Sequence, residues 1–169
     1  MIVLRALLFI LVATGLVLVG LPYLVLTTSG PASHVPLGLF RWLSVPLAAA
    51  ALAVYLMCVS DFITAGRGTP APYDPPPNLV SGRLYARVRN PMYLSLLTLI
   101  VAEAIFLESG SLLVYAAVVW LCFHLFVILH EEPTLALRFG ASYEAYRMSV
   151  PRWLPRLSPG REREAGSRA

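Results

Sequence analysis

Residues 91–129 read PMYLSLLTLIVAEAIFLESGSLLVYAAVVWLCFHLFVIL. Two apolar runs, 91–107 and 111–129, flank one short polar turn around Glu108, Ser109 and Gly110. At ~1.5 Å per residue, each run is about the length needed to cross a ~30 Å hydrocarbon core. So short a connection makes them an antiparallel hairpin. Asn90-Pro91 suits the start of the first helix, with asparagine as N-cap and proline in the first turn. The composition agrees: 58% of the 169 residues are hydrophobic and 13% are charged, too apolar for an ordinary soluble domain.

Two further apolar runs precede the hairpin. Residues 2–26 carry one charge, Arg5. The run is too long for the core of a signal peptide and no small-residue cleavage site follows it, so it reads as a retained span. Residues 37–63 begin with Arg41 and Trp42 and end near Asp61, which reads as interfacial. Pro46, near the start, is tolerable in a membrane helix. The expected fold is all-α: a polytopic membrane protein with four transmembrane helices and a cytoplasmic C-terminal helical segment.

All 13 basic residues are arginine. The segment after the second run holds Arg67, Arg83, Arg87 and Arg89, and Arg138 and every later arginine follow the fourth. The loops after the first and third runs hold none. Positive charge marks the cytoplasmic side, so both arginine-bearing segments and both termini are expected there. An arginine-only, alanine-rich chain further suggests a bacterial inner membrane. The net charge of +4 is explained by this topology and is no sign of nucleic-acid binding. Cys58 and Cys122 lie in apolar runs, with no disulfide or metal spacing.

The topology brings two polar segments to one face, where they are expected to build a site. One is residues 79–90, LVSGRLYARVRN; if it is helical, Arg83 and Arg87 share a side. The other is residues 130–155, HEEPTLALRFGASYEAYRMSVPRWLP. Glu131-Glu132-Pro133 ends one helix and can begin another. Its carboxylates either cap a helix start or meet a ligand bearing hydroxyls or positive charge. Phe139-Gly140 stops that helix. Tyr143, Tyr146 and Arg147 then share a face, as interfacial anchors or as a surface for a cation. The proline-rich stretch 64–78 is a stiff linker, or a wall or lid for the site. Glu103 lies at membrane depth, where a carboxyl is functional or paired unless it reaches the far interface. His124 is seven residues before Glu131 and shares its helical face, so it either lines the same pocket or is structural. His34 reads as a solvated loop residue.

Taken in order, Arg-Asn-Pro-x-Tyr at 89–93, the hairpin, Glu-Glu-Pro at 131–133, Phe-Gly-x-x-Tyr-x-x-Tyr at 139–146 and Val-Pro-Arg at 150–152 form a specific pattern. Over residues 79–155 it resembles the isoprenylcysteine carboxyl methyltransferase family of integral membrane enzymes, relatives of the phospholipid N-methyltransferases. The resemblance implies a cytosolic-facing pocket for S-adenosylmethionine and a lipid or lipophilic acceptor entering from the bilayer. The family's Arg-His-Pro-x-Tyr cofactor motif falls on Arg89, Asn90, Pro91, Met92 and Tyr93. The preceding cofactor loop falls on Leu79, Val80 and Tyr85, and the cofactor-binding glutamate falls on Glu131. Asn90 replaces the family's histidine. Val127 stands where the eukaryotic enzymes carry an arginine associated with prenylcysteine, which argues against that substrate here.

The resemblance divides the chain into two N-terminal spans (1–63), a methyltransferase module (64–157) and a disordered tail (158–169). An acceptor that must lose a proton would give it to Glu132, His124 or Glu103. Two other readings compete. One is a sterol-reductase-like membrane reductase using NADPH, although such proteins are longer and have more spans. The other is a small non-enzymatic membrane protein, which would leave the two polar segments unexplained.

Overall fold

A computed structural model describes residues 10–30, 33–67 and 77–156. The expectations for Arg5, for a lid formed by residues 68–76 and for a disordered tail lie outside the described residues. Among those described, the elements are all helical. The first segment is wound wide, as π turns, over Ile10–Thr14 and Leu16–Gly20, and continues as α1 (Leu21–Thr28). A 3-10 turn, Gly38–Leu43, leads into α2 (Ser44–Thr64). A second 3-10 turn, Arg83–Ala86, precedes α3 (Pro91–Phe106). The chain then forms α4 (Gly110–Phe126), a π turn at Val127–Glu131, α5 (Glu132–Phe139) and α6 (Ala141–Ser149).

Three apolar helical stretches are long enough to cross a membrane: Leu11–Thr28, Gly38–Thr64 and Gly110–Phe139. The third expected span, α3, is shorter, at 16 residues, or about 24 Å. It sits at the centre of the packing. Leu97 and Ile100 of α3 meet Ala116 and Val119 of α4, with Val17 and Leu18 of the first segment against them. Leu96 meets Tyr55 and Val59 of α2. The opposite side of α4 leaves Leu113, Val114, Val118, Leu121 and Leu125 exposed, an exterior suited to lipid rather than water.

The chain does not break at Glu131-Glu132-Pro133, contrary to the expectation of one helix ending and another beginning. Helix continues from Gly110 to Phe139 through the π turn. Proline has no N–H and its ring collides with the carbonyl four residues earlier. A wide turn just upstream makes room for it. The same device recurs in the first segment, where the π turn Leu16–Gly20 precedes the buried Pro22. Gly140 ends α5 with φ +52° and ψ −128°, a conformation open to glycine.

At the end of the hairpin opposite the two arginine-bearing segments, Glu108 fastens the α1–α2 loop. Its carboxylate accepts hydrogen bonds from the Leu37 and Gly38 amides at 2.9 and 2.8 Å, and its carbonyl accepts from Val35 N–H at 2.8 Å. His34, an exposed loop residue as expected, and Arg41 lie 3.8 and 4.0 Å from the same carboxylate. These donors hold the Glu108 carboxyl below its usual range, the two amides foremost.

Asp61, near the end of α2, is buried against the protein and accepts a 2.8 Å hydrogen bond from Arg83. Arg83 itself has φ +50°. The helical turn there covers only Arg83–Ala86, so Arg83 and Arg87 do not share a helix face.

Candidate active site

The two polar segments meet directly. Arg89 N–H donates to the Pro151 carbonyl at 2.9 Å, Arg156 N–H to the Arg87 carbonyl at 3.0 Å, and the Tyr146 hydroxyl to the Tyr85 carbonyl at 2.8 Å. Asn90 is the residue preceding α3, but its side chain does not cap the helix. Instead its amide donates to the Arg152 carbonyl at 3.1 Å. The C-terminal segment therefore clasps the stretch that leads into α3.

The clasp closes on a buried carboxylate. Glu132 accepts from Arg89 at 2.8 Å and from Arg152 at 2.6 and 3.0 Å. The side chains of Arg89 and Glu132 are only 11% and 10% exposed. A carboxylate this far from water needs such partners. Glu132 in turn raises the pKa of Arg152, chiefly through its hydrogen bond.

Glu131 is different. Its Oε2 is buried without a hydrogen-bond partner, as is Nε of Arg89. Both residues line a cavity of about 140 Å³. Consecutive residues on an α-helix point about 100° apart. The π turn that ends at Glu131 sets the angles at which the two glutamates leave the helix. One faces the cavity and the other faces the clasp.

Besides the π turn that carries Glu131, five segments line the cavity. The first segment supplies Ala13, Thr14 and Val17, and α2 supplies Tyr55 and Phe62. Tyr85, Arg89 and Asn90 come from the connecting stretch, Met92, Tyr93 and Leu96 from α3, and Phe123 from α4. Tyr93 lies against Phe123 with ring centroids 4.6 Å apart, and Phe62 meets Tyr85 edge-on at 5.8 Å. Burial pushes the Tyr85 phenol well above its ordinary range, so it stays a neutral donor at physiological pH.

Six residues expected at the site from the pattern line this cavity: Tyr85, Arg89, Asn90, Met92, Tyr93 and Glu131. Pro91 starts α3 and is buried behind them. Val80 supports the wall by packing with Cys58 and Tyr85, while Leu79 is half-buried beside it. The three residues considered as proton acceptors lie elsewhere. Glu132 is held by its arginines. His124 accepts from Trp153 Nε1 at 3.0 Å and stacks on Trp120, so its Nδ1 is occupied. Glu103 is in the last turn of α3, about 18 Å along the helix from Pro91. Tyr143 is buried, and Arg147 pairs outward with Glu144 at 2.8 Å, so that face of α6 does not present a cation site.

The sequence pattern did not mark Thr14, Tyr55, Phe62 or Phe123 as site residues. Each sits in an apolar run where an aromatic or hydroxyl side chain draws no notice. Arg152 was quoted in the pattern, but nothing local indicated that it grips Glu132, twenty residues earlier.

An acid and a guanidinium, each with one buried atom that has no hydrogen-bond partner, thus belong to residues lining a cavity with aromatic walls. This suits a ligand that carries a cation or hydroxyls, an anionic or hydrogen-bond-accepting group, and a flat ring. S-adenosylmethionine has all three, and the residues present fit it. Among the described residues, no three His, Cys, Asp or Glu side chains converge to hold a metal ion.

A family model described as phospholipid methyltransferase matches residues 44–142, more than half of the chain. No curated protein and no solved structure matches. The chain belongs to the phospholipid methyltransferase family and is an integral membrane methyltransferase.

Proposed function

We propose that this member of the phospholipid methyltransferase family takes a methyl group from S-adenosylmethionine and delivers it to a lipid or lipophilic small molecule. The reading is carried by Glu131, which lines the cavity together with Arg89 and whose Oε2 is buried without a hydrogen-bond partner. An unsatisfied carboxylate at such a place is costly unless a ligand completes it.

When bound, S-adenosylmethionine supplies a methyl group on a positively charged sulfur. Glu131 accepts hydrogen bonds from its ammonium or ribose hydroxyls. Arg89, held by Glu132, offers its free N–H to the carboxylate. The rings of Tyr85, Phe62 and Tyr93 would pack on the adenine and on the sulfonium, whose charge an aromatic face stabilises. The rest of the protein's work is alignment and exclusion of water, which suffice for an in-line displacement. Glu132, His124 and Glu103 are not in the cavity lining, so none of them is placed to take a proton from the acceptor.

We further propose four spans, with α3 as the third, and an orientation that places the arginine-bearing face in the cytoplasm. The full chain, purified in detergent and titrated with S-adenosylmethionine and separately with NADPH, tests the cofactor. Heat is expected with the first alone, and Glu131→Gln should weaken binding by about tenfold or more, the loss of a charge-assisted hydrogen bond. Binding of NADPH in place of S-adenosylmethionine would overturn the assignment.

A further inference from the structure

The cavity has two unlike ends. Its charged lining residues, Arg89 and Glu131, gather at one end with Tyr85 and Asn90. The other end is formed by Thr14, Val17, Tyr55, Leu96 and Phe123. Tyr55 is seven residues from Phe62 on α2, and Phe123 is eight from Glu131. The apolar end therefore lies about 10 Å deeper in the bundle than the charged one.

Two hydroxyls meet in this apolar end. Thr14 Oγ1 and the Tyr55 phenol share a 2.6 Å hydrogen bond. Neither makes another hydrogen bond among the described residues. Two hydroxyls bring two O–H hydrogens, and their mutual bond uses one. One donor is left over in an otherwise apolar wall, where an unused donor is unfavourable. The π winding of the first segment on either side of Gly15 brings Thr14 to this spot.

We infer that the Thr14–Tyr55 end of the cavity is the acceptor pocket, in which Tyr55 positions a lipophilic acceptor through an uncharged oxygen or nitrogen. The inference rests on the methyltransferase reading and narrows its substrate class. Among the described residues, a phosphate or carboxylate at this end would be stripped of water with no cation beside it, because the one arginine in the lining is at the far end. A neutral headgroup accepting one hydrogen bond meets no such cost, and Val17, Leu96 and Phe123 match an alkyl or prenyl chain. Thr14 lies outside the family match at residues 44–142, so this acceptor selectivity belongs in part to a helix the family pattern does not describe.

The test uses the full chain in lipid nanodiscs and a twelve-carbon alcohol bearing a diazirine beside its hydroxyl. Illumination should attach the probe to peptides from α2 or α3 that line the cavity. Dodecanol should compete and dodecyl phosphate should not. Tyr55→Phe and Thr14→Val, which keep the packing volume, should each reduce labelling about fivefold, the worth of one hydrogen bond. Titration of both variants with S-adenosylmethionine should match the parent chain. Equal labelling in all three proteins, or competition by dodecyl phosphate as strong as by dodecanol, would overturn the acceptor assignment. Because labelling is measured without cofactor, it judges this end alone. A chain that is labelled as expected but fails to bind S-adenosylmethionine would overturn the cofactor reading and leave the neutral-lipophile pocket standing.

Discussion

Arg89 and Glu132, 43 residues apart in sequence, are joined by a 2.8 Å hydrogen bond between two buried side chains. This contact couples the stretch that leads into α3 to the far end of the helical hairpin. It also keeps Arg89 at the cavity while Arg152 shares the load on Glu132. The consequences can be measured at this clasp and elsewhere in the fold.

Arg152 is a positioning residue, since it reaches the cavity only through Glu132. Arg152→Ala should destabilise the protein by about 1–2 kcal/mol, a charged hydrogen bond discounted for partial exposure. It should also weaken S-adenosylmethionine binding several-fold, because Arg89 is then drawn fully to Glu132. Arg152→Lys should restore stability more than affinity, as lysine cannot form the two-pronged contact. Calorimetry on both variants decides the point, and an unchanged affinity in Arg152→Ala would count against the positioning role.

Glu108 should make stability depend on pH. Its folded pKa lies below the ordinary 4.5 because the Leu37 and Gly38 amides favour the carboxylate, with His34 and Arg41 adding to the effect. The sign follows from linkage: the stabilisation is fully present above the unfolded value and is lost as pH falls through the lower folded value. Glu108→Gln should therefore lower Tm at pH 7, and the gap to the parent chain should close in acid. A gap that persists at pH 3 would mean that the charge is not what matters.

Gly140 holds a backbone conformation in which a side chain is strained, although a Cβ there would meet nothing within 4 Å. Gly140→Ala should cost about 1–3 kcal/mol from backbone strain alone. Because α6 then tilts, the Tyr146–Tyr85 hydrogen bond should suffer with it. Thermal unfolding and hydrogen exchange at the Tyr85 stretch measure the two effects. A neutral substitution would show that the turn relaxes freely.

Topology can be read with cysteines placed in a Cys58→Ala, Cys122→Ala background. An impermeant maleimide applied to intact cells should label Gly30→Cys and leave Arg147→Cys untouched until the membrane is opened. Labelling of both sites from outside would contradict the proposed orientation and the three spans, an odd number, between them.

The family pattern picked out residues that the fold brings together: Arg89, Tyr93 and Glu131 all line the one cavity. It ranked Glu132 with His124 and Glu103 as proton acceptors, and there local sequence could not help. Whether a carboxylate is free or gripped depends on partners such as Arg152 and Arg89, which arrive from distant segments. The apolar half of the cavity was illegible for a different reason. Nearly every residue in these helices is apolar, so no alternation of character tells which side of α2 carries Tyr55 inward.

What the sequence by itself determined was the run lengths, the hairpin enforced by a turn around Glu108, the stop at Gly140 and the family. These follow from local chemistry: hydrophobic length, a missing amide donor, and a glycine where φ must be positive. Only the tertiary structure decided that helix runs on through Pro133, that Glu131 faces the cavity while Glu132 faces the clasp, and that Thr14 meets Tyr55 across 41 positions. Those outcomes turn on the angle at which one packed helix presents its side chains to another. Three π turns set such angles here, and packing around them, more than the residues within them, determines where each side chain points.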